Sequence, residues 1–157
     1  SRMAIEIERK FLVKNIPKDE IKYSNKIRQG YIAHNKDRVI RVRQKENDYF
    51  ITIKGNKNGI SRFEFEYPIP KDDGEILLEN FCQDHLIEKT RHYIENKGHI
   101  WELDVFHGNN EGLIVAEIEL SSENQVFHIP SWVDCEVTDQ EKYYNANLLN
   151  RPFKEWA

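Results

Sequence analysis

The chain has 157 residues, with 23 lysines and arginines against 27 aspartates and glutamates and a formal net charge of −4. That length suits one domain of ordinary size, taken as residues 3–157, with Ser1-Arg2 before Met3 read as a cloning remnant. The mildly acidic, mixed balance argues against a nucleic-acid partner, the lack of a membrane-length apolar run or signal peptide argues against a membrane partner, and the isolated Cys82 and Cys135 fit a reduced, cytoplasmic setting.

Hydrophobic residues make up 39% of the chain and charged residues 32%, so many strands must carry charge on one face. Ile5 to Phe11 shows the pattern, with Glu6, Glu8 and Lys10 on one face and Ile5, Ile7 and Phe11 on the other. Side chains two apart on a strand lie about 6.6 Å apart. Two carboxylates at that spacing repel by about 2–3 kcal/mol at an effective dielectric near 20. An open, wet face tolerates this, whereas a closed polar interior calls for a cation.

Asn15 to Glu20 reads as a turn with one short helical turn. Lys26 to Ala33 is a second strand, and Arg38 to Lys45 a third, with Arg41 and Arg43 on one face. Tyr49 to Lys54 is a fourth strand, and Gly55 to Gly59 a loop. Ser61 to Pro68 follows, with Arg62, Glu64 and Glu66 opposite Phe63, Phe65 and Tyr67. Asp72 or Asp73 caps a helix that runs to about His85. Lys89 to Glu95 carries Lys89, Arg91 and Tyr93 on one face, and Asn96-Lys97-Gly98 turns a hairpin. Ile100 to Phe106 pairs Glu102 with Asp104, and Leu113 to Leu120 pairs Glu117 with Glu119. Trp132 to Val137 reads as a short strand, after which Thr138 or Asp139 caps a final helix through Leu149.

A solvated face mixes polar residues without sorting them. Here acid sets fall on some strands and basic sets on others, always opposite Ile, Val, Phe, Leu or Trp. Short connections favour an antiparallel meander. Eight strands closed into a barrel give an interior that side chains fill or that holds one small ligand. A basic interior suits a polyanion. The acids beside it would repel that polyanion unless hard divalent cations sit between them, and oxygen ligands favour magnesium or manganese. Cations, carboxylates and a polyphosphate together support metal-assisted phosphoryl transfer.

Glu6-x-Glu8-x-Lys10 resembles the signature of the CYTH superfamily, the triphosphate tunnel metalloenzymes. Arg41-x-Arg43, Lys54, Arg62-x-Glu64-x-Glu66, Lys89-x-Arg91, Glu102-x-Asp104 and Glu117-x-Glu119 follow in the family's order. The resemblance implies a mainly β (α+β) fold: an eight-stranded antiparallel closed barrel with a few flanking helices and a C-terminal plug-like helix. It implies a metal-dependent inorganic triphosphatase using Mg2+ or Mn2+. Lys10, Arg41, Arg43, Lys54, Lys89 and Arg91 would bind phosphate, and Arg62 is placed with them. Glu6, Glu8, Glu117 and Glu119 would hold metal, while Glu64, Glu66, Glu102 and Asp104 are further tunnel acids. Lys10 with Tyr31 resembles a lysine–tyrosine pair proposed for catalysis in some relatives. Gln29-Gly30-Tyr31 and the short length look like the compact bacterial branch.

Alternatives stay open at this level. The same tunnel would serve an adenylyl cyclase or a nucleoside or thiamine triphosphatase. A module that binds triphosphate without turnover would need it too. Tyr31 can pack or sit beside phosphate. Trp101 and Trp132 are expected to pack, and the six histidines show no zinc-like spacing. The partner expected is a small triphosphate, bound by a monomer or homodimer.

Overall fold

Apolar–polar alternation puts most of the chain into strands. The structure, a computed structural model, describes residues 4–82 and 85–156; Ser1-Arg2, read above as a remnant, lie outside the described residues. The strands are β1 (Ile5–Val13), β2 (Ile21–His34), β3 (Val39–Lys45), β4 (Asp48–Lys54) and β5 (Ser61–Ile69), then β6 (Ile87–Asn96), β7 (His99–Phe106), β8 (Ile114–Glu119) and β9 (Val133–Glu136). One α-helix among the described residues, α1 (Lys71–Asn80), joins β5 to β6. Its last helical hydrogen bond runs from Phe81 N to Leu77 O, so it stops short of the expected His85.

Strands β1 to β8 close into an antiparallel barrel in the order β1-β5-β4-β3-β2-β6-β7-β8, and β8 returns to β1. The seam lies on β1. Its start, Ile5–Ile7, pairs with β5, and its other edge pairs with β8 along Glu8–Leu12. Near Phe11 and Val13, β9 takes over the edge that β5 has left. One strand therefore carries the first acid pair and joins both ends of the sheet.

Because the inward positions are charged, the apolar core lies on the outside of the barrel. Phe11, Trp101, Leu103 and Ile118 on the outer wall of β1, β7 and β8 are covered by Trp132, Val133 and Phe127. Trp101 and Trp132 meet edge to face at 5.6 Å, the apolar packing expected of both. A second cluster sets Leu78 of α1 against Val42 and Tyr49. Beyond the part that α1 covers, the outer wall of β4 and β5 is left bare, with Ile53, Phe63, Phe65 and Tyr67 41–57% exposed.

The C-terminal plug is present, but not as the expected helix from Thr138 or Asp139 to Leu149. The segment winds through short 3-10 turns at Glu141–Tyr143, Asn145–Leu148 and Phe153–Glu155. Asparagine side chains compete for backbone groups and favour turns. Asn147 Nδ2 does so here, donating to Glu141 O at 2.8 Å. Tyr143, Ala146 and Leu148 pack beneath Tyr31, Val39, Ile87, Phe106 and Val115, closing one end of the barrel.

Helix α1 lies so close to β4 that only glycine fits at position 74. A Cβ there would meet Tyr49 Cγ at 2.7 Å and Cβ at 2.9 Å. Overpacking of this kind costs about 1–3 kcal/mol, against a helix-propensity gain of about 1. Gly74→Ala is therefore expected to lower the melting temperature by a few degrees. A thermal melt that rises instead would show that α1 is free to shift.

Candidate active site in the tunnel

Inward parity brings the charged sets into one cavity of about 850 Å³. The phosphate-binding candidates Lys10, Arg41, Arg43, Lys54, Arg62, Lys89 and Arg91 all line it. So do Glu6, Glu8, Glu117 and Glu119, the further acids Glu64, Glu66 and Glu102, and Tyr31. Asp104 does not. It is 1% exposed and lies behind the cavity wall.

Strand register decides which charges meet. Glu6 lies opposite Arg62, Lys10 opposite Glu117, Lys54 opposite Glu64 and Arg91 opposite Asp104. Opposite charges across a strand pair stabilise it, and like charges oppose it. The like pairs are Glu8 opposite Glu119 and Glu102 opposite Glu117. They gather on β1, β7 and β8 and form an acid quadrant. Its far side is basic, with Tyr31 opposite Arg41 and Gln29 opposite Arg43.

Asp104 anchors the basic side. Its Oδ2 lies 2.7 Å from Lys89 Nζ, and its Oδ1 accepts from Arg91 Nε at 2.7 Å. Arg91 Nη2 also donates to Asp104 Oδ2 at 2.9 Å, completing a two-pronged pair. Burial opposes the Asp104 charge, but Arg91 and Lys89 together hold its pKa below the usual aspartate range. At Lys89 burial dominates over the attraction of Asp104, and the nearby Arg91 and Arg43 push the same way, bringing the ammonium down to about 7. Burial, with Arg41 and Arg91 close by, brings Arg43 down to about 10. These cations repel one another, and a phosphate chain among them would relieve that repulsion.

The acids are unequal. Burial raises the Glu6 pKa, but Lys54, 3.2 Å away, pulls it below the ordinary value. At Glu8 the pull of the same Lys54 is outweighed. Burial, then Glu117, then Glu6 push its carboxyl well above the usual range, and it hydrogen-bonds to Glu117. Glu117 stays well below its ordinary value despite burial, because Lys10, the Glu8 hydrogen bond, Arg91 and Lys89 favour its charge. A hydrogen bond between Glu8 and Glu117 requires one proton shared between the two carboxylates. A hard divalent cation is the natural replacement for that proton, so the donor chemistry fits one. Among the described residues, however, no three carboxylate, imidazole or thiol groups are already gathered into a metal clasp.

Other cavity residues did not stand out in the sequence. Lys45 shares the parity of Arg41 and Arg43 and could have been found by extending that strand. Lys57, Thr138, Tyr144 and Asn145 come from loops and 3-10 turns, where no periodicity marks an inward residue. Lys10 Nζ donates to Tyr143 O at 3.1 Å and Lys89 Nζ to Asn145 Oδ1 at 2.7 Å, so two tunnel lysines grip the plug. Phe106, of inward parity, is buried in the plug cluster and does not line the cavity.

A family model described as CYTH domain matches residues 4–151. The chain is 43% identical over 154 residues to an inorganic triphosphatase of Acetivibrio thermocellus, spanning 98% of this chain and 99% of that one. It is 38% identical to an inorganic triphosphatase of Nitrosomonas europaea, covering 91% and 95%. A crystal structure of an inorganic triphosphatase superimposes with a TM-score of 0.68 at 35% identity, covering 95% of this chain and 97% of the other.

Removing one member of a buried ion pair strands its partners, at a cost of about 3–5 kcal/mol. Asp104→Asn should lose stability on that scale in urea denaturation. Arg9 has the opposite parity and forms an outer pair with Glu136 at 2.6 Å, the two side chains 30% and 33% exposed. Arg9→Ala should cost under about 1 kcal/mol. Equal losses would contradict the assignment of Asp104 to the tunnel wall and of Arg9 to the outside.

Proposed function

This chain belongs to the CYTH domain family, and from that premise we propose that it is a metal-dependent hydrolase of inorganic triphosphate. The observation that carries the reading is the division of one cavity into a basic side and an acid quadrant. The names of the two full-length relatives support it.

Arg41, Arg43, Lys89 and Arg91 would grip the phosphate chain, with Lys10, Lys54 and Arg62 along the opposite wall. Their fixed charges stabilise the equatorial and bridging oxygens as the terminal phosphoryl group leaves. Glu6, Glu8, Glu117 and Glu119 would hold Mg2+ or Mn2+. Magnesium is usually bound by one or two carboxylates plus substrate phosphates, so a ready-made protein clasp is not required. When bound, the ion would neutralise phosphate charge and supply Lewis acidity at the phosphoryl oxygens. Lys10 and Tyr31 would act at the reacting group. Cys82 and Cys135, both free, suit a cytoplasmic setting. Among the described residues no helix is long and apolar enough to cross a membrane.

The test is phosphate release from inorganic triphosphate with added magnesium or manganese. Activity should vanish in excess chelator, and Glu8→Gln should lose most turnover while melting like the parent. Arg41→Ala or Arg91→Ala should lose about 30- to 1000-fold in rate, equivalent to 2–4 kcal/mol. Full activity in chelator would overturn the metal assignment.

The same assay run on ATP addresses the substrate. Charged residues make up most of the cavity wall, and its tyrosines are the half-buried Tyr144 and the buried Tyr31 and Tyr93, the last already stacked on Tyr23 at 4.3 Å. An attached nucleoside should therefore add little. The specificity constant kcat/KM for triphosphate should exceed that for ATP by at least about tenfold, or 1.4 kcal/mol. Faster ATP turnover, or cyclic AMP among the products, would favour a nucleotidase or cyclase.

A further inference from the structure

Gln29 is fully buried, with none of its surface exposed, at an inward position of β2 two residues from Tyr31. A polar side chain so placed needs a partner for each of its groups. Its Oε1 accepts from Arg43 Nε at 2.9 Å. Its Nε2 donates to the Tyr31 hydroxyl oxygen at 2.8 Å and faces Asn145 Oδ1 at 3.4 Å.

The orientation of this amide follows from its neighbours. Arginine has donors and no acceptor, so the Gln29 atom facing Arg43 must be the oxygen. The second amide is fixed in the same way. As an ammonium Lys89 only donates, so Asn145 then turns its oxygen to Lys89 at 2.7 Å. That oxygen also needs a donor on its Gln29 side, which is Nε2. Two cations on different strands thus agree on how Gln29 points.

The Tyr31 hydroxyl oxygen therefore receives a hydrogen bond from Gln29 and cannot give one to it. Tyr31 is 3% exposed and lines the cavity. Among the described residues no acceptor takes its own proton. The free direction for that O–H is the cavity, where phosphoryl oxygens would lie. We infer that Gln29 is a positioning residue that orients the Tyr31 hydroxyl as a donor toward the substrate, with Arg43 setting the sense of the amide. This rests on the triphosphatase reading of the tunnel.

Glutamate at position 29 is nearly the same shape and still accepts from Arg43. It has no N–H, so Tyr31 would turn its proton away from the cavity and give it to the new carboxylate. Removing one such donor costs about 100- to 1000-fold in turnover. The experiment is a cycle of parent, Gln29→Glu, Tyr31→Phe and the double variant, assayed on triphosphate with magnesium. Each single variant should lose about 100- to 1000-fold in kcat with a smaller change in KM, and the double should be no worse than Tyr31→Phe alone. Losses that multiply in the double, or an unchanged kcat in Gln29→Glu beside a reduced one in Tyr31→Phe, would overturn the proposal.

A second measurement does not depend on the folding of Gln29→Glu. In the parent enzyme labelled with nitrogen-15, the Gln29 side-chain amide proton bonded to Tyr31 should move upfield in Tyr31→Phe. An unmoved resonance overturns the proposal. Absence of triphosphate turnover in the parent would sink the functional reading and this proposal with it. An active parent that fails the cycle would sink this proposal alone.

Discussion

Closing the sheet into a cylinder places every inward side chain in the field of all the others. Charges that would be screened on an open sheet instead share a lumen partly shut off from water, where each must find a partner. Asp104 shows the consequence most sharply. It is nearly inaccessible and holds both Lys89 and Arg91. Without it two buried cations would face each other, and the basic wall would have no fixed geometry. In the acid quadrant Lys10 lies opposite Glu117 and favours its charge. Glu8 lies opposite Glu119 and hydrogen-bonds to Glu117, and burial with Glu117 and Glu6 raises its carboxyl despite Lys54, so a divalent cation beside it would relieve the crowding of carboxylates.

The same constraint explains why the core is inverted. An interior filled with ions cannot bury apolar surface, so the hydrophobic driving force must act on the outer wall. Helix α1 covers one part of it, and the long connection from Leu120 to Trp132 covers another, bringing Phe127 and Trp132 over Trp101. The plug seals one end with Tyr143, Ala146 and Leu148. The chain thus spends its apolar segments on holding a charged tunnel from outside and below. Lys10 and Lys89 each reach the plug backbone or an Asn145 side chain, which ties the closed end to the phosphate-binding wall.

Much of this was legible because a strand has a period of two, and one inward residue gives the parity of its neighbours. Glu6, Glu8 and Lys10, then Arg41 and Arg43, then Glu117 and Glu119 all line the cavity as their spacing requires. Parity could not show depth, and so Asp104 was grouped with Glu102 although it lies behind the wall. The first part of β2, from Ile21 to Asn25, was missed because Lys22, Tyr23 and Ser24 are all exposed and leave no alternation to read. The final segment was read as a helix from its cap and apolar residues. Tertiary packing and the Asn147 side chain favour 3-10 turns instead, so the plug residues Tyr144 and Asn145 carried no signal. Gln29 had the right parity but stood out only as part of a tripeptide, because its importance lies in partners distant along the chain.

The central claim is that parity builds two walls of opposite charge that together hold one metal-bound triphosphate. Crystals grown with manganese and a non-hydrolysable triphosphate analogue test it most directly. The account predicts phosphate density against Arg41, Arg43, Lys89 and Arg91, with an anomalous manganese peak beside Glu8 and Glu117. A ligand bound outside the tunnel, or manganese seated away from those glutamates, would contradict it.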